Sequence, residues 1–281
     1  MNFGGKLFRF FIYSNFFIAS CAILMVYQTC HLVLHRPPDL YFVFFVFFAS
    51  LCSYSFHWHL TPDMDSNSSR LEWLRHNRKI HTVLFFVGLA GATVTGVYLL
   101  KYWPWLLLSA FITFLYSAPK IPHPWFRALR KVAVGKTIFL AFVWMHVTTL
   151  LPLVVSDEPW RVDFTLFACS RFFLIYAICV LFDYRDREYD ISVGIRSLIT
   201  LMSEKTIVAL FLISLLVFAA STIAMINYGY SWQVIILLLI PGFITAGLYR
   251  KAIKDQSDTL YYFILDGLMA LSSFLMLILG I

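Results

Sequence analysis

The chain has 281 residues, of which 60% are hydrophobic, 19% aromatic and only 13% charged. That is more apolar surface than a soluble fold of this length can cover, which excludes a water-soluble enzyme and points to an integral membrane protein. The formal charge of +7 is gathered in particular loops, where it suits anionic lipid headgroups; it does not indicate a nucleic-acid partner.

Apolar stretches of about 17–25 residues read as spanning helices. Nine are predicted, at 9–34, 40–60, 81–100, 103–118, 137–155, 164–184, 206–226, 232–249 and 259–281, the fourth being short and flanked by proline. The first is too long for a signal-peptide core and lacks a small-x-small cleavage site, so an uncleaved N-terminal helix is expected. Assigning the helix ends alternately puts 18 of the 22 Lys and Arg on one side, from Lys6 and Arg9 to Lys251 and Lys254. Only Arg36, Lys101 and Arg161 fall on the other side, and Arg171 lies inside a helix. The basic side is expected to be cytoplasmic, with the N-terminus on it and the C-terminus across the membrane. All five cysteines fall within predicted helices without a C-x-x-C pair, and are expected as small packing residues. The chain reads as a single domain, 1–281, whose two long polar loops, 61–80 and 185–205, share the cytoplasmic face and can cap one central cavity.

The sixth stretch ends in Asp183-Tyr-Arg-Asp186-Arg-Glu-Tyr-Asp190, followed by Gly194, Arg196 and Ser197. At about 100° per residue the three carboxylates fall within roughly 60° of one another, so a continuing helix presents them on one face. Such a face repels itself unless a cation sits on it. Hard oxygen ligands at this spacing suit Mg2+, which binds through one or two carboxylates plus substrate phosphates. The plainer reading is a solvated charged loop in which the aspartates pair with Arg185 and Arg187.

The run D-x-x-D-x-x-x-D-x-x-x-G-I-R-S from Asp183 to Ser197 resembles the second Asp-rich motif of the UbiA superfamily of intramembrane prenyltransferases. Tyr116-Ser117-Ala118-Pro119, ahead of a basic loop, resembles the family's Tyr-Ser-x-Pro stretch. The resemblance implies an all-α, UbiA-like polytopic membrane bundle of nine transmembrane helices in a bacterial-type cytoplasmic (inner) membrane. It implies a Mg2+-dependent transfer of a prenyl group from a prenyl diphosphate to a lipid-soluble, often aromatic, acceptor. Asp183, Asp186 and Asp190 would hold the metal and carry the catalysis. Arg196, Lys205, Arg187 and Arg70 would bind the diphosphate, while Tyr116, Arg171, His57 and Tyr184 would line the cavity and the acceptor site. The family's first motif, N-x-x-x-D-x-x-x-D, would fall near 53–61, where no carboxylate stands: His57 takes about the place of the first Asp, and Asp63 and Asp65 follow after Pro62. A degenerate first motif also fits a catalytically silent relative that binds an isoprenoid lipid or a partner enzyme. A small-molecule transporter is a further alternative.

His31 and His35, four apart, could share a ligand, which makes a membrane cytochrome a rival reading; hydrogen-bonded interfacial histidines are preferred. Arg171 could bind a polar acceptor, but pairing with a buried acid such as Asp266 is favoured. Tyr116, Tyr176, Tyr184 and Tyr189 could offer π faces to a carbocation. Trp103, Trp105, Trp125, Trp160 and Trp232 fit an interfacial belt.

Overall fold

The computed structural model describes residues 3–61, 68–121, 123, 126, 135–192 and 197–281, and among them every regular element is helical. Eight helices are long and apolar enough to cross a membrane: α2 (Phe16–Val33), α3 (Leu40–His59), α4 (Ser69–Val97), α6 (Lys136–Val155), α7 (Val162–Ser192), α9 (Glu204–Tyr228), α10 (Trp232–Ala252) and α11 (Leu260–Leu279). Three shorter ones are α1 (Phe3–Tyr13), α5 (Trp103–Ser117) and α8 (Leu198–Leu201). The chain is an all-helical, polytopic integral membrane protein. The fourth expected span is α5, whose 15 residues reach roughly 22 Å at 1.5 Å per residue, short of a hydrocarbon core.

Several boundaries differ from those read in the sequence, each for a local reason. The first stretch is two helices, because Asn15 adopts a left-handed conformation (φ 72°), which asparagine tolerates better than most residues. The polar segment 69–80, expected as loop, is the first part of α4: Ser68 caps it by accepting from Leu71 N, and Asn77 marks a kink at φ −122°. The Asp-rich segment, read either as a continuing helix or as a charged loop, continues α7 to Ser192. Asp39, Ser203 and Ser231 cap α3, α9 and α10 in the same way as Ser68, satisfying backbone donors where these helices begin. The tips of both polar loops, at 62–67 and 193–196, lie outside the described residues, and with them Asp63, Asp65, Gly194 and Arg196.

Helix α7 is the axis of the bundle: 72% of its most apolar window is buried, against 17% for α4. It packs on α6, α8, α9, α10 and α11, and contributes Leu174 to Leu181 to the main core. That central position carries Asp183 into the interior. It also buries Arg171, which does not meet Asp266. Its Nη1 donates to Met25 O (2.8 Å), Thr29 Oγ1 (3.1 Å) and Thr148 O (3.2 Å), and its Nη2 to Gln28 Oε1 (2.5 Å). Both facing helices widen into π turns at this level, Thr29–Val33 in α2 and His146–Leu150 in α6. The expected pairing with Asp266 is thus replaced by neutral oxygens, and Arg171 is an internal tie between helices that leaves its donors committed. The five cysteines are free thiols among helices, and Trp103, Trp105, Trp160 and Trp232 are exposed, as a belt requires; Trp125 is outside the described residues.

Helices α3 and α4 lie against each other closely enough that a Cβ on Gly88 would meet Cys52 N at 2.6 Å and Phe48 O at 2.8 Å. Backbone cannot yield as a side-chain tip can. Gly88→Ala is therefore expected to destabilise the bundle by about 1–3 kcal/mol, while Gly247→Ala, which meets nothing within 4 Å, should be neutral or stabilising. Thermal unfolding of both variants in detergent checks this.

Candidate functional site

The Asp-rich face is helical, the first of its two readings, and its cation is supplied by the neighbouring helix. Lys136, the first residue of α6, places Nζ 3.6 Å from Asp183 Oδ1 and 3.8 Å from Asp190 Oδ2. Thr137 Oγ1 donates to the other oxygen of Asp183. A helix N-terminus also favours a carboxylate through its partial positive charge. Asp183 and Asp190 are both buried, whereas Asp186 keeps 39% of its side chain exposed and pairs with Arg185 Nε at 2.9 Å. One face thus resolves into a bridged pair and a separate ion pair.

The cations around this face sit on aromatic rings. Arg185 also donates to Tyr262 OH at 3.0 Å and lies 4.4 Å from the Tyr261 ring centroid. Arg70 is buried 4.0 Å from the ring centroid of Trp58 and 4.3 Å from that of Tyr262, with Nη2 donating to Asn15 Oδ1 at 2.8 Å. Arg70 N and Ser68 Oγ donate to Asp258, which ties the start of α4 to the approach of α11. Cation–π contacts satisfy a guanidinium without consuming its charge. Positive potential therefore survives beside the carboxylates.

On the α3 side, His57 is clamped by the segment after α5. Tyr116 stacks on the imidazole at 4.9 Å, Ser117 Oγ lies 3.3 Å from Nδ1, and Lys120 Nζ lies 2.7 Å from Nε2. Lys120 also donates to Thr61 Oγ1 at 2.7 Å. Burial pushes the Lys120 ammonium down to about 7, and Lys136 adds to the effect. Tyr54, half-buried on the same helix as His57, accepts from Trp144 Nε1 at 3.0 Å.

Not every expected residue joins this cluster. Arg187 turns away to Met202 O at 3.0 Å, which also removes it as an ion-pair partner of the aspartates. Lys205 is exposed in the first turn of α9, and Tyr184 packs half-buried against the core. Arg171 is spent on α2 and α6, and Arg196 is outside the described residues. His31 stacks on Tyr27 at 5.3 Å, while His35 lines a cleft at the other end of the molecule with Arg161 and Tyr230, so the two do not converge. Lys120, Lys136 and Arg185 were not singled out as diphosphate ligands in the sequence. The only signal for Lys136 is a lone lysine opening an apolar helix, and for Lys120 its place one residue after Tyr-Ser-Ala-Pro.

Among the described residues, no three His, Cys, Asp or Glu side chains converge as a protein cage for a metal would need. Mg2+ needs only one or two carboxylates when phosphate supplies the rest. Asp190 Oδ2 is buried without a hydrogen-bond partner, its 3.8 Å contact with Lys136 being an ion pair beyond hydrogen-bonding reach. The donors of Asp183 and Asp190 therefore suit one Mg2+ shared with a phosphate. Among the described residues the His57 region offers no carboxylate for a second, only an imidazole bonded to a lysine.

Removing Lys136 should leave Asp183 and Asp190 facing each other without a cation. Lys136→Met is expected to lose about 1–3 kcal/mol of stability, the 30% exposure of the lysine keeping the cost below that of a fully buried pair. Added Mg2+ should raise its melting temperature more than that of the unaltered protein. Compared with known proteins, the chain matches no protein-family model, no curated protein and no solved structure.

Proposed function

We propose that the protein is a UbiA-like membrane prenyltransferase, with α5 counted as the ninth span, which moves a prenyl group from a prenyl diphosphate to a lipid-soluble acceptor. One observation carries this reading: carboxylates from α7 meet cations from α6 and α7, and Arg70 of α4 and Lys120 gather on the adjoining rings of Tyr262 and Trp58, which Arg185 also shares through Tyr262. Such a mixture suits a polyanion that arrives with a metal ion and carries an apolar tail. Asp183 and Asp190 would hold Mg2+, which when bound supplies charge neutralisation on the diphosphate. Lys136, Arg185 and Arg70 would stabilise the same anion as the C1–O bond breaks and the diphosphate leaves with the electron pair. The faces of Trp58, Tyr116 and Tyr262 would stabilise the prenyl cation until the acceptor attacks and gives up its proton. Binding without turnover is the second reading, favoured by Lys136 already bridging Asp183 and Asp190 and by the lack of a carboxylate between 53 and 61.

Labelled geranyl, farnesyl and geranylgeranyl diphosphates, supplied with Mg2+ and a native membrane-lipid extract, should yield a prenylated product. Asp190→Asn, which removes one of the two carboxylates proposed to hold Mg2+, should slow its formation on the order of a hundredfold. Tight binding without product across a broad acceptor set would leave the silent binder as the function.

The site is proposed to face the cytoplasm, because 18 of the 22 basic residues share its end of the chain's alternating topology. Reporter fusions after Asn67 and Ser192 should report the cytoplasm, and fusions after Glu158 and Tyr228 the opposite side. A mixed pattern would overturn both the orientation and the span count.

A further inference from the structure

Four carboxylates near the candidate site are already held: Lys136 bridges Asp183 and Asp190, Arg185 pairs with Asp186, and Asp258 accepts from Ser68 Oγ and Arg70 N. Asp266 is different. Half-buried within α11, it forms no hydrogen bond or ion pair among the described residues. An ionisable group inside a membrane span is expensive, and one without a partner adds no stability in return.

The helix face shows where Asp266 points. Tyr262, Asp266, Ala270 and Ser273 follow one another at four, four and three residues, so they share one side of α11. Four residues make close to one turn in the π winding of Leu260–Leu265 and in the α winding that follows it. At the basic end of that side, Tyr262 OH accepts from Arg185 at 3.0 Å, and the ring centroid lies 4.3 Å from the Arg70 guanidinium. Farther along, Ala270 and Ser273 are buried, and Ser273 Oγ donates to Gln28 Oε1 of α2 at 3.0 Å. Asp266 therefore faces the interior of the bundle, one helical turn, roughly 6 Å, deeper than the ring that carries the two arginines.

We propose that Asp266 takes the proton that the acceptor gives up when it is prenylated. The inference rests on the prenyl transfer proposed above and deepens it by naming the base. A prenyl diphosphate held by Arg70 and Arg185 has its reacting carbon on the apolar side of the phosphates, which is the level of Asp266. As the C1–O bond breaks, the diphosphate takes that electron pair. The acceptor supplies the pair for the new bond to C1. Its C–H or O–H bond at the attacking atom then breaks, the pair stays on the acceptor, and the proton passes to a carboxylate oxygen of Asp266. An ionised carboxylate accepts only, and this one has its lone pairs free, whereas those of Asp183 and Asp190 face Lys136. Water removes the proton once the product has left.

The test supplies the full chain in lipid nanodiscs with labelled geranyl, farnesyl and geranylgeranyl diphosphates, Mg2+ and the native membrane-lipid extract, and counts prenylated product against free prenyl alcohol. Asp266→Asn should melt no lower than the unaltered protein, because no partner is lost, and should bind farnesyl thiolodiphosphate with unchanged affinity in Mg2+. It should still release diphosphate, but water should capture the prenyl cation, so that the ratio of product to alcohol falls about tenfold or more. Asp266→Ala should show the same loss and recover the ratio when formate is added, as a merely structural residue would not. That rescue also carries the test if Asp266→Asn fails to fold. An unchanged ratio in Asp266→Asn, a loss of thiolodiphosphate binding as large as the loss of product, or no recovery by formate overturns the inference and leaves prenyl transfer standing. Absence of product from the unaltered protein overturns both.

Discussion

A charge inside a lipid-facing bundle must be satisfied by the protein, and Arg171 shows how far the architecture bends to do so. It lies on the most enclosed helix, where water is scarce, and it has neutral oxygens around it in place of a carboxylate. Gln28 accepts from it and donates in turn to Ser272 at 3.1 Å, and Thr29 donates to Thr148 O at 2.7 Å. Helices α2, α6, α7 and α11 are thereby tied at one level, and two of them depart from α-helical winding there. Local irregularity is tolerated because the Arg171 donors still find partners, while His146 Nδ1 and Thr149 Oγ1 in the α6 π turn are buried without one.

The same requirement gives a different outcome at the basic end. There the aspartates of α7 have Lys136, Thr137 and Arg185, and Arg70 has aromatic faces and Asn15. Acid and base nearly cancel on the α7 side. On the α3 side, among the described residues, Lys120 donates to His57 and Thr61 and lies 5.6 Å from the Trp58 ring centroid, with no ion pair. The two sides thus differ in charge balance. Tertiary packing sets that difference. It also accounts for the Tyr116-Ser117-Ala118-Pro119 stretch as a clamp: the ring stacks, the hydroxyl bonds, Ala118 is fully buried, and the following lysine closes on the imidazole.

Much of the architecture is legible in the chain because lipid imposes a simple rule on long apolar stretches. Eight of the nine expected stretches appear as helices of spanning length, and the short, proline-flanked one is the one that falls short. The boundaries were harder to read, since helix ends depend on capping and continuation beyond the membrane. Polar residues 69–80 and 183–192 look like loops by composition, yet Ser68 starts one helix and α7 carries through the other. Asn15 looks like an ordinary interfacial asparagine, and its left-handed turn follows from contacts with Ser55, Arg70 and His81, which are 40 to 66 residues away.

For the site, local periodicity determined that Asp183, Asp186 and Asp190 share a helix face and that such a face needs a cation, because both follow from the geometry of a single helix. Composition determined the membrane, and the distribution of lysine and arginine marked the polar end on which the site lies. Which cation meets which acid was decided only by tertiary packing. Lys136 lies 47 residues before Asp183 and Lys120 lies 63 residues after His57, so no spacing rule links them. Arg187 and Arg171 show the converse. Each stands near the right acids in sequence or in hydropathy, and each is turned elsewhere by its helix face, Arg187 to Met202 and Arg171 to α2 and α6. A charged side chain is directed by the helices packed around it, and that arrangement exists only once the bundle has formed.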